Sequence, residues 1–451
     1  MRLHRKLFAI ALLFALAAAA VAQTARPMRI DMKETRLPNG LRVITVEDHS
    51  APVISLDITY NVGSRDERPG RTGFAHLFEH MMFKGSENVG TGEHFYLVFN
   101  NGGTMNGTTN EDRTTYFEAL PSNQLDLALY LEADRMRSLV INKANLDNQR
   151  NAVQEERRLG VDNQPYGKSG EIQQALIYDN FAYKHSVIGS MDDLSAATVE
   201  DVASFFKTYY APNNAVLTLV GDFKTADALK KIKESFGNIP RQPDPPAVDM
   251  TEPEQKAERR AAVDDSLARL QQIDIAFKAV PGNTADFYAL QVLSTALQGG
   301  QSSRFYQTLV KDKQLVTNIF GFMDEKRGTG AFYISTTVRQ GVKPEDVEAA
   351  VYAEIERVKK EGVADWEIQK AKNTTRRNFI NSMQSSLSRA INMSVWTVYY
   401  NDPNLINTRL DKVSAVTKED VLRVANKYLT PTNRTVVVTT PKRAAPPAAG
   451  Q

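Results

Sequence analysis

The sequence predicts an α+β protein made of two homologous halves, each an antiparallel sheet with helices packed on it. Three observations lead there. At 451 residues the chain is longer than a typical single domain, and its 42% hydrophobic and 24% charged composition suits a folded core. The segment TVEDVASFFKTYYAPNNAVLTLVGD from Thr198 is echoed by TKEDVLRVANKYLTPTNRTVVVTTP from Thr417, at a constant offset of 219 that matches Glu200, Asp201, Val202, Tyr209, Pro212 and Asn214 with identical residues. Strands and helices also fail to alternate regularly, which argues against a parallel doubly wound sheet.

Taken in order, the chain opens with Arg2, Arg5 and Lys6, then the apolar run LFAIALLFALAAAAVA ending in Ala20-Val21-Ala22. A basic start, a short apolar core and small residues at the end predict a signal peptide over 1–22, and hence an exported, periplasmic or secreted protein. An uncleaved anchor is the alternative, although the run is short against the roughly 20 residues of a membrane span. The first half is predicted over 29–240. Within it LRVITVED (41–48) and APVISLDITYNVG (51–63) read as antiparallel neighbours joined by a short turn. An amphipathic helix occupies the 70s, RTTYFEALP (113–121) is a strand, and 122–160 reads as two helices. Each repeat copy reads as a helix capped by Thr198 or Thr417, a Pro-Asn turn and a β-branched strand. RQPDPPAVDMTEPEQKAERR (241–260) is a linker by its proline and charge, the second half spans 261–442, and RAAPPAAGQ (443–451) is a low-complexity tail.

Charge excludes some classes of partner. Lys and Arg total 55 against 53 acids, and loss of residues 1–22 leaves 52 against 53. Neither nucleic acid nor an anionic membrane surface is predicted as a partner. The chain has no cysteine, so any metal site must use His, Asp or Glu.

One motif carries chemistry. HLFEH (76–80) spends two of the six histidines within five residues. At about 100° per residue, His76, Glu79 and His80 share one arc, while Phe74, Leu77, Phe78 and Met81 lie on the other side. Imidazoles at i and i+4 converge on one ion with a carboxylate beside it, and the H-x-x-E-H order is a zinc-hydrolase signature. The alternative is an amphipathic helix with solvated polar groups. A third ligand has to come from elsewhere, and NAVQEERRLG (151–160) offers one. There Glu156 falls at the centre of a stripe formed by Ala152, Val153 and Leu159, with Glu155 on its flank. A carboxylate facing a core is costly unless it is paired or bound to a metal, so Glu156 is favoured as ligand over Glu155, with a buried arginine salt bridge as the alternative.

With a glutamate 76 positions after its second histidine in a V-x-E-E-R setting, the chain resembles the pitrilysin/insulinase family of zinc metallopeptidases, in its two-domain processing-peptidase-like branch. LPNGLRVITVED, NGGTMNGTTNEDRTTYF (101–117), VDNQPYG and the duplicated Tyr-x-x-Pro-x-Asn segments add to the resemblance, which covers nearly the whole mature chain. It implies one zinc ion per chain held by His76, His80 and Glu156, with Glu79 as general base. It implies two halves closing as a clam-shell around a chamber for a peptide or unfolded polypeptide. Substrate would be added as a strand on a sheet edge, at Asn106, Gly107 and the strand carrying Thr115, Tyr116 and Phe117. Gly107 stands where the family usually has alanine, and only its backbone is expected to matter. Gln149 stands where relatives often have a further glutamate near zinc. The family's substrate-steadying Arg/Tyr pair falls on Val310 and Thr317, so both side chains are missing. That absence suggests a heterodimer with a sister subunit that supplies them, or a homodimer. At the offset of 219 the second half has Thr295, Gln298 and Gly299, and therefore no second metal motif. A non-catalytic assembly or binding subunit is the alternative function. His94, His185 and His49 read as surface or loop residues.

Overall fold

The computed structural model describes residues 29–442; the predicted leader (1–22) and tail (443–451) lie outside the described residues. Two sheets organise the chain. The first contains β1 (Lys33–Arg36), β2 (Arg42–Glu47), β3 (Val53–Tyr60), β4 (Thr104–Thr109), β5 (Thr114–Pro121) and β6 (Ala215–Gly221) in the order β1-β2-β6-β3-β5-β4. The same half carries α1 (Phe74–Met81), α2 (Glu93–Asn100), α3 (Leu125–Ser138), α4 (Lys143–Arg157), α5 (Gly167–Ile177), α6 (Val199–Tyr209) and α7 (Thr225–Phe236), with shorter helical turns between. The second sheet, β7 (Arg259–Asp265), β8 (Gln272–Lys278), β9 (Val316–Met323), β10 (Ala331–Val338) and β11 (Arg434–Pro441), has the order β7-β11-β8-β10-β9. The same half carries α8 (Ala285–Gln298), α9 (Pro344–Glu361), α10 (Asp365–Met383), α11 (Ser386–Tyr400), α12 (Leu405–Ala415) and α13 (Lys418–Tyr428).

The expected pairing of β2 with β3 is corrected: β6 lies between them, parallel to β2 and antiparallel to β3. Every residue of β6 is buried, and a strand buried on both faces belongs in the middle of a sheet. β7 runs parallel to β11 in the same way, so both sheets are mixed rather than purely antiparallel. The linker is irregular until Arg259, where β7 begins two residues before the expected start of the second half.

The repeat extends through the fold. At the offset of 219, α3 starts as α9 does, α5 as α11 does and β6 as β11 does, while α6 and α13 coincide at both ends. Thr198 and Thr417 cap their helices alike, each accepting from the N–H of an aspartate that bonds back to the threonine. Each half keeps its own core on one face of its sheet. The other face is covered by a helix from the opposite half. α11 lies on β3, β5 and β6, where Met393, Ala390 and Trp396 pack on Ile44, Val46 and Val220. α5 lies on β7, β8 and β11, with Ile177 beside Ala276 and Ala331. Among the described residues no helix is long and apolar enough to cross a membrane.

Candidate metal centre

HLFEH lies on α1. Phe74, Leu77, Phe78 and Met81 are buried, each contributing about 1.5–3 kcal/mol of apolar burial, so the core anchors the helix independently of any ion. His76 and His80 are half-buried on the remaining face, their rings edge to face at 4.8 Å.

The third side chain arrives on α4, whose buried face is Leu146, Gln149 and Val153. The expectation that Glu156 faces a core stripe is corrected: Ala152 and Leu159 are exposed, and so is Glu156. The α-helix ends at Arg157 and a wider π-turn takes Arg158–Asp162, so helical angles do not carry through to Leu159. Glu156 nevertheless points at α1, its Oε2 lying 3.6 Å from His76 Nε2 and 3.3 Å from His80 Nε2. Glu155 turns away to pair with Arg158 at 3.0 Å. Gln149 is buried beside His80 and donates to Asn148 at 2.6 Å.

Two imidazoles and a carboxylate whose ligand atoms all lie within 4.8 Å of one another are a donor set for zinc. Tetrahedral bonds of about 2.0–2.1 Å put ligand atoms roughly 3.3–3.4 Å apart, close to the separations found here. Burial, with repulsion from His80, pushes the His76 imidazole down to about 4, against the pull of Glu156, so it stands in the neutral form that binds metal. The residues present fit the ion.

Glu79 is buried on the same helix, and burial raises its carboxyl above the usual range. Thr109, at the end of β4, donates its hydroxyl to Glu79 Oε2 at 2.6 Å, which leaves Oε1 available. The structure corrects the view that only the backbone of Gly107 matters. A Cβ there would lie 3.1 Å from Glu79 Cγ and 3.2 Å from Glu79 Oε1, so the glycine leaves the carboxylate its room.

β4 is one of the sheet's two edge strands, and Asn106 and Gly107 lie on it. Thr115, Tyr116 and Phe117 do not: they are on β5, hydrogen-bonded to β3 on one side and β4 on the other. Their backbone groups are already paired, so an added strand cannot dock there.

In the second half Thr295 lies on α8 with Gln298 at its end, and Gly299 follows as the cap. Gln298 spends its amide on the Tyr333 carbonyl at 2.9 Å and the Ser294 hydroxyl at 3.0 Å. Thr295, Gly299 and Thr375, the last at the position equivalent to Glu156, border a cleft of about 410 Å³ lined by no His, Asp or Glu. Val310 lies in the helical turn Tyr306–Asp312 and Thr317 near the start of β9.

Two histidines read from the sequence as incidental are not at the surface. His94 is buried within 4.8 Å of Glu118 and Glu132. Both oxygens of Glu132 are engaged by Arg135, whose fixed charge stands where a second cation would have to be, and burial keeps Glu118 and His94 neutral. This is a buried ion pair beside a neutral acid. His185 is part-buried against Glu67 at 2.9 Å. Of these three His49 alone is exposed, 2.6 Å from Asp222. Thr109, Glu67 and His185 are the residues that sequence reasoning missed, since hydrogen bonds spanning 30 and 118 positions have no local signature.

The chain matches the family profile "Insulinase (Peptidase family M16)" over residues 42–179 and "Peptidase M16 inactive domain" over 196–375. It is 32% identical over 434 residues to the zinc protease PqqE of Helicobacter pylori, covering 95% of this chain and 97% of that protein. The crystal structure of a protease from Helicobacter pylori superposes with a TM-score of 0.86 at 30% identity, over 92% of this chain and all of that one (100%). The periplasmic protease PqqL from Escherichia coli matches with a TM-score of 0.74 at 17% identity, over 94% of this chain but only 50% of its own. Two consecutive domain matches spanning most of the sequence, on a fold shared with solved members, establish that this chain belongs to the insulinase family of metallopeptidases, peptidase family M16.

Proposed function

We propose that this chain is an exported zinc endopeptidase that cleaves unfolded peptides or short polypeptides, with one zinc ion per chain. The observation that carries the reading is the convergence of His76, His80 and Glu156 with Glu79 one turn away on the same helix. His76, His80 and Glu156 would hold the ion, three protein ligands being the pattern of a catalytic rather than a structural site. When bound, zinc supplies a Lewis acid beside the scissile carbonyl.

The chain's own residues do the rest. The β4 edge offers backbone groups to an extended peptide, which enters as a further strand with Asn106 and Gly107 alongside. Glu79 takes a proton from the attacking water on Oε1 and returns it to the leaving amine, while Thr109 fixes Oε2. A cleft of about 420 Å³ between the halves, bordered by Glu111 of the first and by Phe320 and Phe322 of the second, offers room for a peptide.

The leader sequence supports export, as does likeness in fold to a protein described as periplasmic. Two features favour a paired enzyme: Val310 and Thr317 supply no Arg/Tyr pair, and PqqL is twice the length matched here. A sister subunit contributing those side chains completes the site in this reading, and a homodimer is the other arrangement.

Glu79→Gln tests the function. The variant is expected to keep stoichiometric zinc while peptide cleavage falls by at least about 10²–10⁴-fold, the usual contribution of a general base. Wild-type protein that binds no zinc and leaves a library of unfolded peptides intact, with or without a co-expressed sister subunit, would instead support a non-catalytic binding subunit.

A further inference from the structure

We propose that Glu67 and His185 form a brace that sets the spacing between the two helices carrying His76, His80 and Glu156, with His185 as a positioning residue. The inference rests on the reading of those three side chains as metal ligands.

Helix α1 begins behind Gly73, which has φ of +84° and no side chain to cap the first turn. The opening N–H groups of a helix lack intrahelical acceptors, and here Glu67 supplies them. Its side chain is wholly buried. Oε2 accepts from the Gly73 N–H at 2.9 Å and Oε1 accepts from the Ala75 N–H at 2.8 Å, one residue before His76. A carboxylate at this end also complements the helix dipole.

Glu67 is held in turn by His185. His185 Nε2 lies 2.9 Å from Glu67 Oε2, and Nδ1 lies 2.8 Å from the Phe181 carbonyl. A carbonyl only accepts, so Nδ1 carries a proton, and a second proton sits between Nε2 and Oε2. Phe181 stacks on the imidazole at 4.3 Å, so the ring is pinned on a face as well as at both nitrogens.

The segment that begins at His185 reaches the other ligand helix. Arg157, next to Glu156, donates from Nη1 to the Gly189 carbonyl at 2.7 Å and grips Glu171 with both terminal nitrogens. Gly189, with φ of +75°, presses on the entry to α1 so closely that a Cβ would fall 2.4 Å from the Thr72 carbonyl. Thr72 is tied back by Asp193, whose Oδ2 accepts from its N–H at 3.0 Å and its hydroxyl at 2.5 Å. Residues 185–193 therefore fasten the start of α1 to the end of α4.

This matters because one of the ligands has little else to orient it. His76 Nδ1 is buried without a hydrogen-bond partner among the described residues, so the ring takes its direction from the placement of its helix. Metal–ligand distances tolerate errors of only about 0.2 Å. Removing an outer partner of a metal ligand ordinarily weakens metal binding about 10–100-fold.

The test is a chelator competition for zinc, with melting of the metal-free protein alongside, on the full chain. His185→Ala is expected to weaken zinc binding about 10–100-fold and to lower kcat with KM little changed. His185→Gln, whose amide can still donate to Glu67, is expected to restore most of both. Arg157→Met leaves the Glu67–His185 contact in place and is expected to weaken zinc binding from the α4 end; it carries the test alone if His185→Ala does not fold. A variant that melts at lower temperature yet binds zinc within about twofold of wild type overturns the brace and makes these contacts merely structural. Wild-type protein without zinc, or His76→Ala binding as tightly as wild type, removes the metal site and the brace together, an outcome distinct from the first.

Discussion

Glu79 combines a buried carboxyl with a single fixed oxygen, so the Thr109 hydroxyl is the contact that decides where its free oxygen points. Hydrogen bonds to charged groups contribute about 1.5–3 kcal/mol. Thr109→Val, which keeps the shape, is therefore expected to lower kcat about 10–100-fold while KM and bound zinc stay unchanged; steady-state kinetics with metal analysis checks this. An equal loss of zinc would mean that Thr109 supports the ligands and not the base. At this scale HLFEH was legible because helix spacing alone puts His76, Glu79 and His80 on one arc. Glu156 was found by an argument that the structure overturns, since its neighbours Ala152 and Leu159 face solvent and only its direction toward α1 matters. Thr109, Glu67 and His185 could not be read, because their partners are brought to them by the sheet and by a loop.

Among the elements, α3 shows how much the layer beneath the site depends on charge. Arg135 is fully buried, binds both oxygens of Glu132 and lies over the Tyr116 ring at 4.5 Å. Removing one member of a buried pair leaves the other uncompensated, at a cost of about 3–5 kcal/mol. Arg135→Met is expected to destabilise by that amount in urea unfolding, and Arg135→Met combined with Glu132→Leu to recover much of it, because two apolar residues leave no orphan charge. A single variant as stable as wild type would show that Glu132 is protonated in the fold. The sequence placed the strands and helices of this region well: 113–121 became β5, and 122–160 became α3 and α4. Strand order was the weaker reading. β2 and β3 are close in sequence, and only the largely apolar AVLTLVG of β6 hinted that a strand from about 160 residues further on would separate them.

At the level of the whole molecule, the exchange of α5 and α11 makes each half depend on the other for one face of its sheet. A single unfolding transition is the consequence, and a polar seam lies along the join. Ser394 on α11 donates to Thr218 at 2.7 Å, and on the opposite sheet Ser169 on α5 pairs with Thr439 at 2.6 Å. Asp57 on β3 lies in this seam. Thr115 donates to its Oδ1 at 2.6 Å and Thr59 to its Oδ2 at 2.8 Å. Burial pushes its carboxyl up to about 6, against the pull of these hydroxyls, of Ser394 and of the charge on Arg113. The folded value lies above the unfolded one, so the fold prefers the protonated acid. Well below pH 4 the group is protonated in both states and has no effect on stability. Between about pH 4 and 6 the unfolded chain ionises first and stability falls; above that the penalty is constant, at about 3 kcal/mol for a shift of roughly two units. Asp57→Asn carries no such penalty. Its stability relative to wild type is expected to rise by about 3 kcal/mol from pH 3 to pH 7, read from denaturant midpoints at constant m-value. Parallel curves for the two proteins across that range would mean that the hydroxyls of β3, β5 and α11 stabilise the carboxylate fully, and that the seam between the halves does not respond to pH.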